Sequence, residues 1–95
     1  MAKKNEVSYV LRSKNRLRVM ESIVKYGKAI PAQIQKETGM YKSHVSRTIK
    51  ELEDINAVKC TNPDDRNYRF YALNQKGKTL FKKAKEITYS SKKQG

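Results

Sequence analysis

Six side chains between residues 42 and 50 define the chemistry this chain can offer: Lys42, Ser43, His44, Ser46, Arg47 and Lys50. Each can donate a hydrogen bond, and no acid stands among them. Such a set suits a polyanion. Lysine and arginine meet phosphate, serine hydroxyls serve phosphate or a base edge, and the arginine fork can hold guanine O6 and N7 as a bidentate pair. Catalysis is a poor fit. His44 is the only histidine and Cys60 the only cysteine, and no nucleophile, base and orienting acid come together, so no enzyme is expected. A metal centre needs several His, Cys or carboxylate ligands close together, so neither a metal nor another cofactor is expected, and one cysteine forms no intrachain disulfide. For His44 the pattern leaves three roles open: contact with a base, contact with a phosphate, or cover for the helix edge.

These residues need an element that presents them together, and the stretch from Pro31 to Asp54 supplies it. Ala32, Ile34 and Thr38 share one helical face, with Pro31 at a first helical position, where its missing N–H costs nothing. Gly39 interrupts, and Val45, Ile49 and Leu52 resume a helical period at i, i+4 and i+7. A glycine between two short amphipathic helices marks a helix-turn-helix, because that turn needs positive φ. The reading helix, residues 41–54, is charged against its own dipole. Its bases, Lys42, Arg47 and Lys50, all precede its acids, Glu51, Glu53 and Asp54, which sit in the C-terminal half. Each misplaced charge costs about 0.3–1 kcal/mol, an arrangement that makes sense if the N-terminal half faces a phosphate-lined groove. A second reading stands beside it. Arg47 with Glu51, and Lys50 with Asp54, are i, i+4 pairs that would brace the helix.

The remaining elements follow in order. Residues 1–6 are polar and expected to be disordered, as are residues 90–95. Val7, Tyr9, Val10 and Leu11 form a short apolar cluster suited to packing on something else. Ser13 is placed to cap a helix over Lys14–Tyr26, whose Leu17, Met20, Ile23 and Val24 make the apolar stripe and whose Gly27 ends it. The opposite face carries Arg12, Lys14, Arg16, Arg18 and Lys25, expected to be mostly solvated. Lys28 to Ile30 read as an extended link. After the reading helix, Asn56 is the left-handed stop, Val58–Thr61 a strand, residues 62–67 a turn, and Tyr68–Leu73 the returning strand. Tyr71 and Leu73 should face the core and Phe70 the other side. Asn74 caps a last helix with Leu80, Phe81, Ala84 and Ile87 on one face. The hairpin tip offers a second set of contacts: Arg66 and Arg69 suit a narrow minor groove, with Asp64 and Asp65 orienting their guanidinium groups. The fold expected is mainly α with a small β-hairpin, a winged helix-turn-helix of order helix, helix, turn, helix, hairpin, helix, in one domain spanning residues 1–95.

Composition agrees with a polyanionic partner. The chain of 95 residues has 22 Lys and Arg against 9 Asp and Glu, for a net charge of +13. That balance favours nucleic acid or an anionic surface. Most of the excess lies in the flanks: Met1–Lys28 holds eight bases and two acids, and Asn74–Gly95 seven bases and one acid, a net +6 in each. The reading helix itself sums to zero. No apolar run is long enough for a signal peptide or membrane span, so a cytoplasmic protein without membrane partners is expected.

Three segments, TGMYKSHVSRTIKELED, INAVKC and DDRNYRFYALNQKGKTL, resemble winged-helix transcription regulators of the MarR and ArsR type, particularly the small archaeal ones. The resemblance covers roughly residues 13–81. Its most specific pieces are Val45-Ser46-Arg47 and the run from Tyr71 through Leu73 and Asn74 to Gly77. It implies a homodimer on a pseudopalindromic site, recognition helices in successive major grooves and wings in the flanking minor grooves. Tyr41 stands where the family has a serine or threonine before the reading helix. In the wing, Asn67 takes the place of the usual arginine, with Arg66 or Arg69 as substitutes. Full-length MarR proteins carry longer terminal helices that frame a ligand pocket, so a small-molecule effector is not expected here.

The function expected is sequence-specific binding of double-stranded DNA by a homodimeric transcription regulator. Helix 41–54 would enter the major groove, and wing 61–69, with Arg66, Asn67 and Arg69, would lie near the minor groove. The dimer interface would come from Val7, Tyr9, Val10, Leu11, Leu80, Phe81, Ala84 and Ile87. Two alternatives are a nonspecific architectural nucleic-acid-binding protein relying on the basic flanks, and a winged-helix module for protein interaction.

Overall fold

The computed structural model describes the backbone of residues 2–94 and the side chains of residues 6–88. Five helices and one hairpin follow in the order α1 (Ala2–Leu11), α2 (Lys14–Tyr26), α3 (Pro31–Thr38), α4 (Lys42–Asp54), β1 (Val58–Cys60), β2 (Tyr71–Leu73) and α5 (Gln75–Gln94). This is a mostly helical winged helix-turn-helix, as the sequence predicts, with one helix more at the front. Helical backbone covers Ala2–Glu6 and residues 90–94, where the sequence predicts disorder; Met1 and Gly95 lie outside the described residues. Helix α1 has a physical basis in its spacing and its anchorage. Val7, Val10 and Leu11 stand at i, i+3 and i+4, one helical face, and Lys76 Nζ reaches Glu6 at 2.7 Å to tie that helix to α5. A ten-residue helix is marginal alone, so packing on the rest of the chain decides its formation.

The helix-turn-helix follows the expected order, but Ala32, expected on the face of Ile34 and Thr38, is exposed, because a residue two positions from Ile34 lies about 160° away around the helix. Pro31 opens α3, and the Ile30 amide donates to Gln33 Oε1 at 3.0 Å. Gly39 sits at φ 75°, ψ 8°, the left-handed conformation that lets α4 leave at a new angle. The Thr38 hydroxyl secures the turn from both sides, donating to the Ile34 carbonyl at 2.7 Å and accepting the Met40 amide at 3.2 Å. Val45, Thr48, Ile49 and Leu52 form the buried face of α4. They pack with Val10, Val19, Met20, Ile23 and Ile34 in one core that also takes in Val58, Leu73, Leu80 and Ala84.

Two expectations about α2 change. Its core face is Val19, Met20, Ser22 and Ile23, whereas Val24 is 46 % exposed. At about 100° per residue the buried set Val19, Met20, Ser22 and Ile23 centres between Val19 and Ile23, and Val24 lies about 120° away from that centre, toward solvent. Ser13 holds the cap position in extended backbone but makes no side-chain capping bond.

The hairpin pairs Val58 with Leu73, Lys59 with Ala72 and Cys60 with Tyr71, antiparallel. Its strands are shorter than predicted because Asn62 takes over the pairing beyond them. The Asn62 side-chain amide donates to the Tyr68 carbonyl at 2.7 Å, and its oxygen accepts the Phe70 amide at 2.8 Å. The Lys28–Ile30 link is more than a connector. Ala29 pairs with Tyr71 through two backbone hydrogen bonds, 3.0 and 2.8 Å, and so lays a third extended segment beside the hairpin. Asn56 closes α4 at φ 64°. Asn74 then joins wing to α5: its carboxamide oxygen accepts the Gly77 amide at 2.9 Å, and its NH2 donates to the Asn56 carbonyl at 2.6 Å.

Candidate nucleic-acid interface

Burying Val45, Thr48, Ile49 and Leu52 turns the other side of α4 to solvent. Lys42, Ser43, His44, Ser46, Arg47 and Lys50 are all exposed, so the six residues singled out in the sequence share one outward surface. The helix has no acid in its first turn and no side-chain cap. Tyr41 occupies the cap position in extended backbone, and its ring, 74 % exposed, meets the His44 ring edge-on at a centroid distance of 5.6 Å. The first helical amide closed is that of Val45, onto the Tyr41 carbonyl at 3.0 Å. The amides of Lys42, Ser43 and His44 therefore stand at the open, positive end of the helix, where an anionic oxygen is favoured.

The bracing pairs of the second reading, Arg47 with Glu51 and Lys50 with Asp54, are absent among the described residues. Glu51 Oε1 accepts from Arg16 Nε at 3.1 Å instead of from Arg47. Among the described residues neither Arg47 nor Lys50 has an ion-pair partner. Arg16 was expected on a solvated face, yet its side chain is only 14 % exposed. Its guanidinium carbon lies 3.6 Å from the centroid of the Tyr9 ring, and its terminal nitrogen donates to the Tyr9 carbonyl. A cation over an aromatic face is attracted by the ring quadrupole, which adds to the hold of the two hydrogen bonds on the guanidinium. Sequence gave no warning of this contact, because Tyr9, Arg16 and Glu51 meet only when α1, α2 and α4 are assembled. A shallow polar cleft of about 170 Å3 runs beside it, where Ser13, Asn15, Arg16, His44, Arg47, Thr48 and Glu51 come together.

The wing tip exposes Arg66, Asn67 and Arg69. Neither Asp64 nor Asp65 forms an ion pair with a wing arginine among the described residues, and Asp65 does a different task. The Asp65 carboxylate accepts the amides of Asn67 at 2.8 Å and Tyr68 at 3.0 Å, so it folds the turn rather than orienting a guanidinium group. Arg69 Nε donates to the Asp65 backbone carbonyl at 3.2 Å. Those amides, Tyr68 first and then Asn67, hold the Asp65 carboxyl below its ordinary range. On this preorganised tip Arg66 is exposed and has no acidic partner among the described residues.

The expected dimer surface is partly consumed by the fold. Val10, Leu80 and Ala84 lie in the chain's own core, and Val7, Leu11 and Phe81 pack against it. Ile87 remains 48 % exposed. The helical stripe is real, but its first claimant is the chain itself.

Among the described residues no group of three or more His, Cys, Asp or Glu could hold a metal ion, and no helix is long and apolar enough to cross a membrane.

No protein-family model and no curated protein matches the sequence. Solved structures do match in fold. An organohalide-sensing transcriptional regulator with 2,4-dichlorophenol bound superposes with a TM-score of 0.80 at 19 % identity, covering 98 % of this chain and 56 % of its own. A mutant of MarR from E. coli gives a TM-score of 0.77 at 16 % identity, covering 94 % and 69 %. BpsR of Bordetella bronchiseptica, described as regulated in DNA binding by 6-hydroxynicotinic acid, gives 0.71 at 20 % identity, covering 82 % and 63 %. This chain thus spans roughly 56–69 % of the length of these relatives. The expectation that no small-molecule effector would be involved finds no support among them, since two are described with such a compound. The fold is that of the winged-helix regulators of the MarR family.

Proposed function

We propose that this protein is a sequence-specific regulator that binds double-stranded DNA as a homodimer, with α4 in the major groove and the wing beside the flanking minor groove. The observation that carries the proposal is the outer face of α4, which combines an uncapped helix N-terminus, exposed basic and hydroxyl side chains and an arginine left free of its i+4 acid. Arg47 reads a guanine edge, Ser43 and Ser46 serve base edges or phosphate, and Lys42 and Lys50 meet the backbone. Arg66, Asn67 and Arg69 form the wing contact. The basic flanks add affinity that falls steeply with salt and does not depend on sequence. Dimerisation draws on α1 and α5 through whatever Tyr9, Phe81 and Ile87 leave uncovered, since Val10, Leu80 and Ala84 are already spent in the core.

Selection of bound duplexes from a random pool, followed by titration of wild type and Arg47→Ala on the selected site, tests this reading. An inverted repeat should emerge, and Arg47→Ala should weaken its binding by about 1–3 kcal/mol while leaving random DNA nearly unaffected. A pool that yields no preferred sequence would favour the architectural alternative. Retention of full preference by Arg47→Ala would remove α4 as the reader.

A further inference from the structure

Arg47 and Glu51 stand four residues apart on α4, the spacing at which opposite charges on a helix pair. In isolation this helix would close that pair, and an arginine engaged by a carboxylate offers fewer donors to a base. In the folded chain Glu51 turns away to Arg16 on α2. Arg16 is held on three sides, by the Tyr9 ring, by the Tyr9 carbonyl and by the Glu51 carboxylate. It is therefore a fixed cation, whereas Arg47 is an exposed and long side chain that loses rotamer freedom on pairing. A preorganised donor outcompetes a free one for the same carboxylate.

We infer that Arg16 is a positioning residue for DNA readout: it draws Glu51 off Arg47 and offsets a negative charge that would otherwise face phosphate. The inference rests on α4 being the DNA reader and adds a determinant outside the contact surface. The anchor on α1 also makes Tyr9 part of the reading apparatus, although it sits on a different helix. Removing Arg16 lets Glu51 swing to Arg47, and selectivity falls because the lost donor is the one that reads a base.

The test is a double-mutant cycle on the selected duplex and on random DNA, with Arg16→Met, Glu51→Gln and the double variant. Arg16→Met should lower affinity for the selected site roughly tenfold and random-DNA affinity much less. Glu51→Gln alone should change the preference little. In the double variant the preference should return to near the wild-type value, a rescue that a purely structural role for Arg16 would not produce. Arg16→Lys, which keeps the stem and charge but lacks the fork, should give a smaller loss that Glu51→Gln also relieves; it serves if Arg16→Met melts too low to assay. The inference is overturned if neither Arg16 variant loses preference, or if the loss persists undiminished in combination with Glu51→Gln. Arg47→Ala in the same titrations separates the two levels. If that variant keeps the preference, the DNA reading itself fails; if it loses preference while the Arg16 cycle shows no coupling, only the role of Arg16 fails.

Discussion

Replacing Gly77 by alanine should destabilise this protein, although the same change in an ordinary exposed helix is worth about 1 kcal/mol of added stability. Gly77 lies in the first turn of α5 directly against the end of the α4–β1 connection. A Cβ built there would stand 1.9 Å from the Ala57 carbonyl oxygen, 2.9 Å from its carbon and 3.2 Å from its Cα. Ordinary carbon–oxygen contact needs about 3.3 Å, so α5 would have to retreat by more than 1 Å. That retreat pulls on three hydrogen bonds made at the same joint: the Asn74 amide to the Ala57 carbonyl at 3.1 Å, the Asn74 NH2 to the Asn56 carbonyl, and the Gly77 amide to the Asn74 side chain. At about 1 kcal/mol for each bond, and about 1–3 kcal/mol for the overpacking, the loss outweighs the gain in helix propensity. A net of about 3–5 kcal/mol follows, or roughly 15–25 °C in melting temperature for a domain of this size. Thermal unfolding followed by far-UV circular dichroism measures it. A melting temperature equal to or above that of wild type would refute the close approach of α5 to the wing joint.

Two other perturbations probe the same machinery. Asn74→Ala removes both the α5 cap and the bond to Asn56, and should cost about 1–3 kcal/mol in denaturant unfolding; a change below a few tenths would contradict the joint described here. In the wing, the Asp65 carboxyl is lowered by the Tyr68 and Asn67 amides, so its contribution to tip order is present above the ordinary carboxylate value near 3.9 and is lost as pH falls through the depressed folded value. Amide resonances of Asn67 and Tyr68 should therefore titrate with a midpoint below that of a free aspartate, and a midpoint at or above it would show that the turn is not held by this carboxylate.

Local signals in the sequence were enough for the frame. The left-handed stops at Gly39 and Asn56, proline at the start of α3, asparagine ahead of α5 and the apolar period of α4 are each short-range chemistry, decided within a few residues. The exposed face of α4 followed from the same period, because burying one side of a helix determines the other. Charge order along α4 pointed to a polyanion without any tertiary information. What depended on assembly is of another kind. Helix α1 forms because a core is there to receive Val10, and Ala29 becomes a strand residue because Tyr71 passes beside it. Asp65 and Asn62 choose backbone amides that only the closed turn presents. The choice of Glu51 between Arg47, four residues away, and Arg16, thirty-five residues away, could not be settled along the chain. Helical spacing offers the near partner, but the tertiary structure delivers a better-anchored one. Sequence determined which residues α4 turns to solvent; the packing of α1 on α2 and α4 decided which of their charges are left without an ion-pair partner among the described residues.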